Sequence, residues 1–342
     1  MTQKKPDLNK YTILTAAKAA TFIESLNDLE GKILEYLATE RQEGRELLSS
    51  KTFLSDIPNQ LPVLKESSLY KDILADKRFT AVGQPPLCGS KVATLVCTGE
   101  DDGSLFHSIR LDEEESYGKD SHEQTLLLFR KYLGILDSLG LSLEVNCVRT
   151  WIYVSDIDNN YAGVVRARNE IFKEHGLTPD THFIASTGIG GKSPARSAVV
   201  SMDFLTYPGI KEEDKFYLKA LDHLNPTHEY GVSFERGTRL TLPGRERFLV
   251  SGTASIDCHG KVLNEGNVLK QADRLLENID ALLKAGGSTL KDARYFIVYL
   301  RDVADFSLVD EYMRTHKPSK PYLIVEAPVC RPTWLIEMEC EA

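Results

Sequence analysis

Across residues 9–50 the apolar positions Phe22, Ile23, Leu26, Leu29, Ile33 and Leu37 recur at three- and four-residue steps with Glu and Lys between them. That spacing predicts one long amphipathic helix with a narrow apolar stripe. Such a stripe either packs on the body of the protein or pairs with a partner. Pro58 and Pro62 interrupt the pattern, and a short helix over residues 70–75 leads to the first strand signal. The first globular unit is therefore expected to begin at Phe79.

The most informative pattern is an internal repeat. Residues 124–156 and 271–302 each read as an amphipathic helix ending at a glycine, a short linker, and an apolar strand closed by Asp. The helical faces are Leu127, Leu128, Tyr132, Ile135 and Leu136 in one run, and Leu275, Leu276, Ile279, Leu282 and Leu283 in the other. The strands, 148–154 and 293–300, are rich in Val, Ile, Tyr and Trp. Each copy continues with a second helix, at 164–175 and 305–315. A further strand pair follows, 183–186 with 198–204 and 322–326 with 334–339.

Each copy also has two strands at its front. In the second they are 239–242 and 247–256, joined through Pro243-Gly244; in the first they are 91–98 and 105–111, joined by the polar turn 99–103. The order within a copy is thus β-β-α-β-α-β-β. This is an α+β fold in which two helices cover one face of a mixed sheet and leave the other face free to pack sheet to sheet. The expected organisation is a helical extension over 1–78, a diverged first copy over 79–225, and a second copy over 226–342.

Composition narrows the chemistry. The 342 residues carry a net charge of -9, which repels a polyanion, and no basic stripe with interleaved aromatics is present. Nucleic acid is not an expected partner, whereas a small anion can still bind a locally positive cleft. No apolar run approaches the roughly 18 residues of a membrane span, and the polar, basic start followed by Lys18 and Glu24 leaves no signal-peptide core. A cytoplasmic protein with no membrane contact is expected. The six cysteines are dispersed without C-x-x-C or zinc-finger spacing, so no metal site is expected and each reads as a small buried residue.

In the second copy, Ser251-Gly252-Thr253, Glu277-Asn278-Ile279 on its helix, Val298-Tyr299-Leu300-Arg301-Asp302 and Ile336-Glu337-Met338-Glu339 together resemble the Rid/YjgF family over about a hundred residues. Beyond the N-terminal helices, the whole chain is similar to the chorismatase branch of that superfamily. The matching pieces are Val82-Gly83-Gln84-Pro85-Pro86, Arg149-Thr150-Trp151-Ile152-Tyr153, Thr187-Gly188-Ile189-Gly190-Gly191, Glu229-Tyr230-Gly231 with Phe234 and Arg236, Ser251-Gly252-Thr253-Ala254 and Val329-Cys330-Arg331-Pro332. The resemblance implies two Rid-like domains and a cofactor-free lyase or hydrolase that releases pyruvate from chorismate. Cys330 and Gly252 match the type that forms 3-hydroxybenzoate. Because Rid clefts form between subunits, it also implies a monomer or a homotrimer.

The sequence departs from both relatives. Tyr322 stands where Rid deaminases hold the substrate carboxylate with Arg, and Pro194-Ala195-Arg196-Ser197 imitates that motif at a different place. Val232 replaces the Pro expected after Tyr-Gly in chorismatases. An enamine or imine deaminase and a non-catalytic small-molecule binder therefore stand as alternatives.

Releasing pyruvate from an enol ether requires a proton delivered to carbon. Glu337 is the candidate acid, since burial in a cleft would raise its pKa; the alternative is a solvated strand carboxylate. Cys330 is assigned to shaping the pocket, because no His lies near it in sequence to activate the thiol. A substrate with two carboxylates needs donors. Arg236, Arg331 and Arg301 are candidates for bidentate contacts, Tyr153 and Tyr230 for phenol hydrogen bonds, and Thr187, Gly188, Gly252 and Thr253 for close backbone approach. Arg301 reads equally as an ion pair with Asp302 or Asp305.

Overall fold

The computed structural model describes residues 9–316 and 320–342; the first eight residues, part of the argument against a signal peptide, lie outside the described residues. The two copies are present as an α+β architecture packed sheet to sheet, and a third copy of the same unit precedes them.

The first unit runs β1 (Lys10–Thr15), α1 (Phe22–Gln42), β2 (Glu46–Leu54), α2 (Ile57–Glu66), β3 (Arg78–Val82) and β4 (Val92–Gly99). The second runs β5 (Leu105–Ile109), α3 (Ser121–Ser138), β6 (Cys147–Val154), α4 (Ile157–Glu174), β7 (Ala185–Gly190) and β8 (Val200–Thr206). The third runs β9 (Lys215–Tyr217), β10 (Gly237–Leu242), β11 (Arg245–Ala254), α5 (Val268–Ala285), β12 (Tyr295–Leu300), α6 (Phe306–His316), β13 (Tyr322–Glu326) and β14 (Ile336–Glu341).

The sheet orders are β1-β4-β2-β3, β5-β8-β6-β7 and, with β9 and β10 added outside, β11-β14-β12-β13. In each unit the last strand inserts antiparallel between the first and second, and the third lies parallel to the second. One topology is therefore written three times.

This corrects the reading of residues 1–78 as a helical extension and the domain boundary at 79. The stretch 9–50 is not one helix, because Tyr11-Thr12-Ile13-Leu14-Thr15 is a β-favouring run that pairs with β4. Helix α1 starts at a capping box: Thr21 Oγ1 accepts from the Glu24 amide, and the Glu24 carboxylate accepts from the Thr21 amide. It ends just before Gly44, whose φ of 74° takes the chain into β2. The strands 91–98 and 105–111 do not form a hairpin, because β4 completes the first sheet and β5 begins the second.

The three sheets face one another around a shared core, in which Tyr11, Phe53 and Leu95 of the first unit meet Trp151, Tyr153 and Leu205 of the second and Tyr295 and Tyr299 of the third. The helices of the first two units lie outside, over separate clusters. Short backbone bridges stitch each pair of units: Gly83 to Lys192, Ile189 to Val329, and Pro86 to Val325. No helix among the described residues is long and apolar enough to cross a membrane.

Candidate active site

At the junction of the second and third units a cavity of about 350 Å³ opens between α4, β7, β11 and β14, within the usual range of small-molecule sites, roughly 300–1,000 Å³. β14 alternates, so Glu337, Glu339 and Glu341 point one way while Ile336 and Met338 point the other. Of the three carboxylates, Glu337 lines the cavity.

Its environment explains its protonation. Burial, and then the neighbouring Glu339 charge, push the Glu337 carboxyl up to about 8, against a smaller pull from Arg236 and Arg149. No protein group among the described residues donates a hydrogen bond to it. Facing it is Gly252, where a β-carbon would lie 2.0 Å from Glu337 Oε1 and 3.1 Å from Thr187 Cγ2. The absence of a side chain there lets the acid occupy this position. The ladder between β11 and β14 shifts register between Val250 and Thr253, a bulge that aims Gly252 and Ala254 into the cavity.

The remaining wall is cationic and aromatic. Arg236 is buried, donates to the Asn225 carbonyl, and lies against the Tyr230 and Phe234 rings. Arg331 is sandwiched between the Tyr230 ring at 4.9 Å and the Trp334 ring at 4.7 Å. Arg168 on α4 is buried beside Phe234, and its Nε and Nη2 have no hydrogen-bond partner. Three guanidinium groups around one protonated acid suit a ligand with more than one carboxylate. Cys330 lies beside Tyr161, and burial, followed by the Glu337 charge, pushes its thiol up to about 12. A thiol this reluctant to ionise is poorly suited to nucleophilic attack.

Glu337, Cys330, Gly188, Tyr230, Arg236, Gly252 and Arg331 thus meet in one cavity. Four other expected residues lie elsewhere. Tyr153 points into the central core between the sheets, because its position on β6 faces away from α4. Thr187 sits beneath the cavity floor, donating to Glu339 at 2.6 Å and accepting from the Gly252 amide at 2.9 Å. Thr253 turns its hydroxyl to the Ser251 carbonyl. Arg301 forms a bidentate pair with Asp158, both contacts at 2.9 Å, that fastens the third unit to α4. Arg196 of the imitation motif belongs to an exposed loop that wraps Glu113.

Tyr161 and Arg168 were not among the expected residues, although both line the cavity with Val165. Their spacing of four and three residues along α4 was the available signal; it is hidden when the helix is taken to begin at Val164.

Residues 242–342 match the family model described as endoribonuclease L-PSP. The chain is similar to a chorismatase of Streptomyces rapamycinicus, 28% identical over 233 residues that make up 61% of this chain and 67% of that protein. It is also similar to a RutC family protein of Pyrococcus abyssi, 36% identical over 95 residues that cover 27% of this chain and 75% of that one. A chorismatase crystal structure shares the fold, with a TM-score of 0.67 at 20% identity over 87% of this chain and 93% of that chain.

Proposed function

The chain belongs to the RutC family of Rid/YjgF proteins through its third unit, and on that premise we propose that it is a chorismate-processing enzyme in which Glu337 is the general acid. The observation that carries this reading is a buried carboxyl, raised to about 8, on the wall of a cavity with three guanidinium groups. The similarity to a chorismatase over 61% of the chain supports chorismate as the substrate.

Arg168, Arg236 and Arg331 hold the two carboxylates of chorismate, and Tyr161 and Tyr230 fill the space between them. At pH 7 a carboxyl with a pKa near 8 is roughly nine-tenths protonated. Glu337 gives its proton to the terminal carbon of the enolpyruvyl group, and the C=C electron pair forms the new C–H bond. The cation left on the ether carbon is then captured. If water attacks, the resulting hemiketal collapses to pyruvate and a ring diol. If the ring hydroxyl attacks, its proton returns to Glu337 and a cyclic ketal forms. The ring C–O bond of that former hydroxyl then breaks, its oxygen leaves as the ketone oxygen of pyruvate, and the ether oxygen stays on the ring. Loss of the proton from the carbon bearing it gives 3-hydroxybenzoate with no net water consumed. The wall formed by Cys330, Trp334 and Ile256 favours the second course by keeping water from the cation. The deaminase alternative lacks its anchor: strand register puts Ser186 at this junction at the place of Tyr322, and Tyr322 itself donates to Asp310.

The test is pyruvate release from chorismate, with the aromatic product identified by mass. Glu337→Gln should cost about 10²–10⁴-fold in kcat with folding intact. Since the acid works only while protonated, kcat/KM should fall as pH rises through about 8. No pyruvate from the wild-type protein, or an unchanged rate in Glu337→Gln, would remove the reading and leave a binding protein.

A further inference from the structure

Glu339, two residues beyond the acid on the same face of β14, does not line the cavity and is held by donors from another unit. From the second unit it receives Arg149 Nη2 at 2.9 Å, Trp151 Nε1 at 3.0 Å and Thr187 Oγ1 at 2.6 Å. From the first unit Lys51 Nζ approaches to 3.5 Å; that amine is buried with no other hydrogen-bond partner, and burial pulls its pKa down while the Glu339 and Asp203 charges favour its protonated form. The same Thr187 hydroxyl accepts from Arg149 and from the Gly252 amide. The clamp thereby joins the cavity floor to both other units.

We propose that Glu339 is a positioning residue whose fixed negative charge keeps Glu337 loaded with its proton, and that the first unit takes part in the chemistry from a distance by holding that charge through Lys51. This rests on Glu337 being the acid.

The physical argument is one of placement. Successive same-face residues on a strand are about 7 Å apart, close enough for one carboxylate to resist ionisation of the next in a buried setting. Burial would protonate Glu339 too, but Lys51 and Arg149 outweigh that cost and hold it low. The donors fix which of the two carboxylates carries the charge. The other charged and titratable groups facing Glu337 are Tyr161 and Arg168 on α4, Tyr230 and Arg236 before β10, and Cys330 and Arg331 before β14. None of these hydrogen-bonds to Glu339, whereas Arg149, which also pulls on Glu337, does. On the core side Glu339 faces Tyr299 on β12 and Tyr153 on β6, whose phenols burial keeps neutral.

The experiment titrates Glu337 directly in full-length protein labelled with ¹³C-carboxyl glutamate, its resonance identified by its loss in Glu337→Gln. In Glu339→Gln the Glu337 midpoint should fall from about 8 by at least about one pH unit, a tenfold loss of proton affinity. If that variant fails to fold because Lys51 and Arg149 lose their counter-charge, Lys51→Met/Glu339→Gln removes the pair together and should shift the midpoint in the same direction. A midpoint that stays or rises overturns the inference, because a purely structural Glu339 would not move it. No substrate enters this measurement. A lowered midpoint without pyruvate release sinks the chorismate reading alone, and pyruvate release with an unmoved midpoint sinks this inference alone.

Discussion

The junction between the second and third units and the junction between the first and second are built from corresponding strands in corresponding register, yet their contents differ. In each unit the second strand carries an aromatic residue three positions before an aspartate: Phe53 before Asp56, Tyr153 before Asp156, Tyr299 before Asp302. Opposite that aromatic on the fourth strand stand Ala93, Ser201 and Glu337. Two residues further on stand Leu95, Asp203 and Glu339, and the matching third-strand positions are Thr80, Thr187 and Leu323. The acid is thus present in one copy of three.

On the first strand of the unit, Ala254 lies opposite Glu337, whereas Arg110 follows the Ile109–Met202 pair and so stands opposite Ser201. Ala254 leaves the cavity open. Arg110 fills the equivalent space, donating to Asp203 at 2.8 Å, the Met202 carbonyl at 2.8 Å and Thr80 Oγ1 at 2.9 Å. The third junction has only Leu323, Leu95 and Ala93 at these positions. Three units on one chain can diverge independently, so one junction keeps an open cavity while the others are seams, one ionic and one apolar.

The sharpest way to break the comparison is to transfer the plug. Ala254→Arg would place a guanidinium beside Glu337, occupying the ligand space and favouring ionisation of the acid. Turnover should fall by about 10³-fold or more, since both ligand space and proton delivery are lost, while the protein stays folded. Wild-type turnover in this variant would mean that substrate does not use the cavity.

The converse change tests the seam. Arg110→Ala leaves Asp203 buried without its cation, and losing one partner of a buried pair costs about 3–5 kcal/mol. Urea denaturation should show that loss, with kcat and KM unchanged once the protein is folded, because Arg110 is remote from the cavity. A change in KM without a loss of stability would show that the two junctions communicate.

The same comparison shows what was legible from the chain alone. The second and third units could be read because each pairs an amphipathic helix with a largely apolar strand followed two residues on by Asp. The first keeps that closing aspartate but has a mixed strand, Glu46–Leu54, with Ser49, Ser50 and Lys51 inside it. Ser49 and Lys51 face the central core, so the local pattern looks like helix or loop until the other sheets are in place. At the site, Glu337, Gly252 and Cys330 were legible because short motifs surround them. Arg168 was not, since an arginine on an amphipathic helix reads as solvated and only the fold reveals that its face is covered. Tyr153 misled for the opposite reason: its strand is right, but strand periodicity does not say which neighbour each face meets.

The smallest expected effect separates burial from charge. Arg301 and Asp158 form a cross-unit arginine–aspartate pair like Arg110 and Asp203, with both arginine side chains 18% exposed. The carboxylates differ: Asp203 is 1% exposed, whereas Asp158 is 43% exposed and can be rehydrated when its partner is lost. Exposed pairs contribute about 0.2–1 kcal/mol. Arg301→Met, which retains the aliphatic stem, should therefore shift the urea midpoint by no more than about 1 kcal/mol, against several for Arg110→Ala. KM should stay put, because the guanidinium is committed to Asp158 and the Val329 carbonyl. A rise in KM of about tenfold or more, equivalent to about 1.4 kcal/mol of binding, would return Arg301 to the ligand anchors. It would also show that the seam between α4 and the third unit loosens when substrate enters.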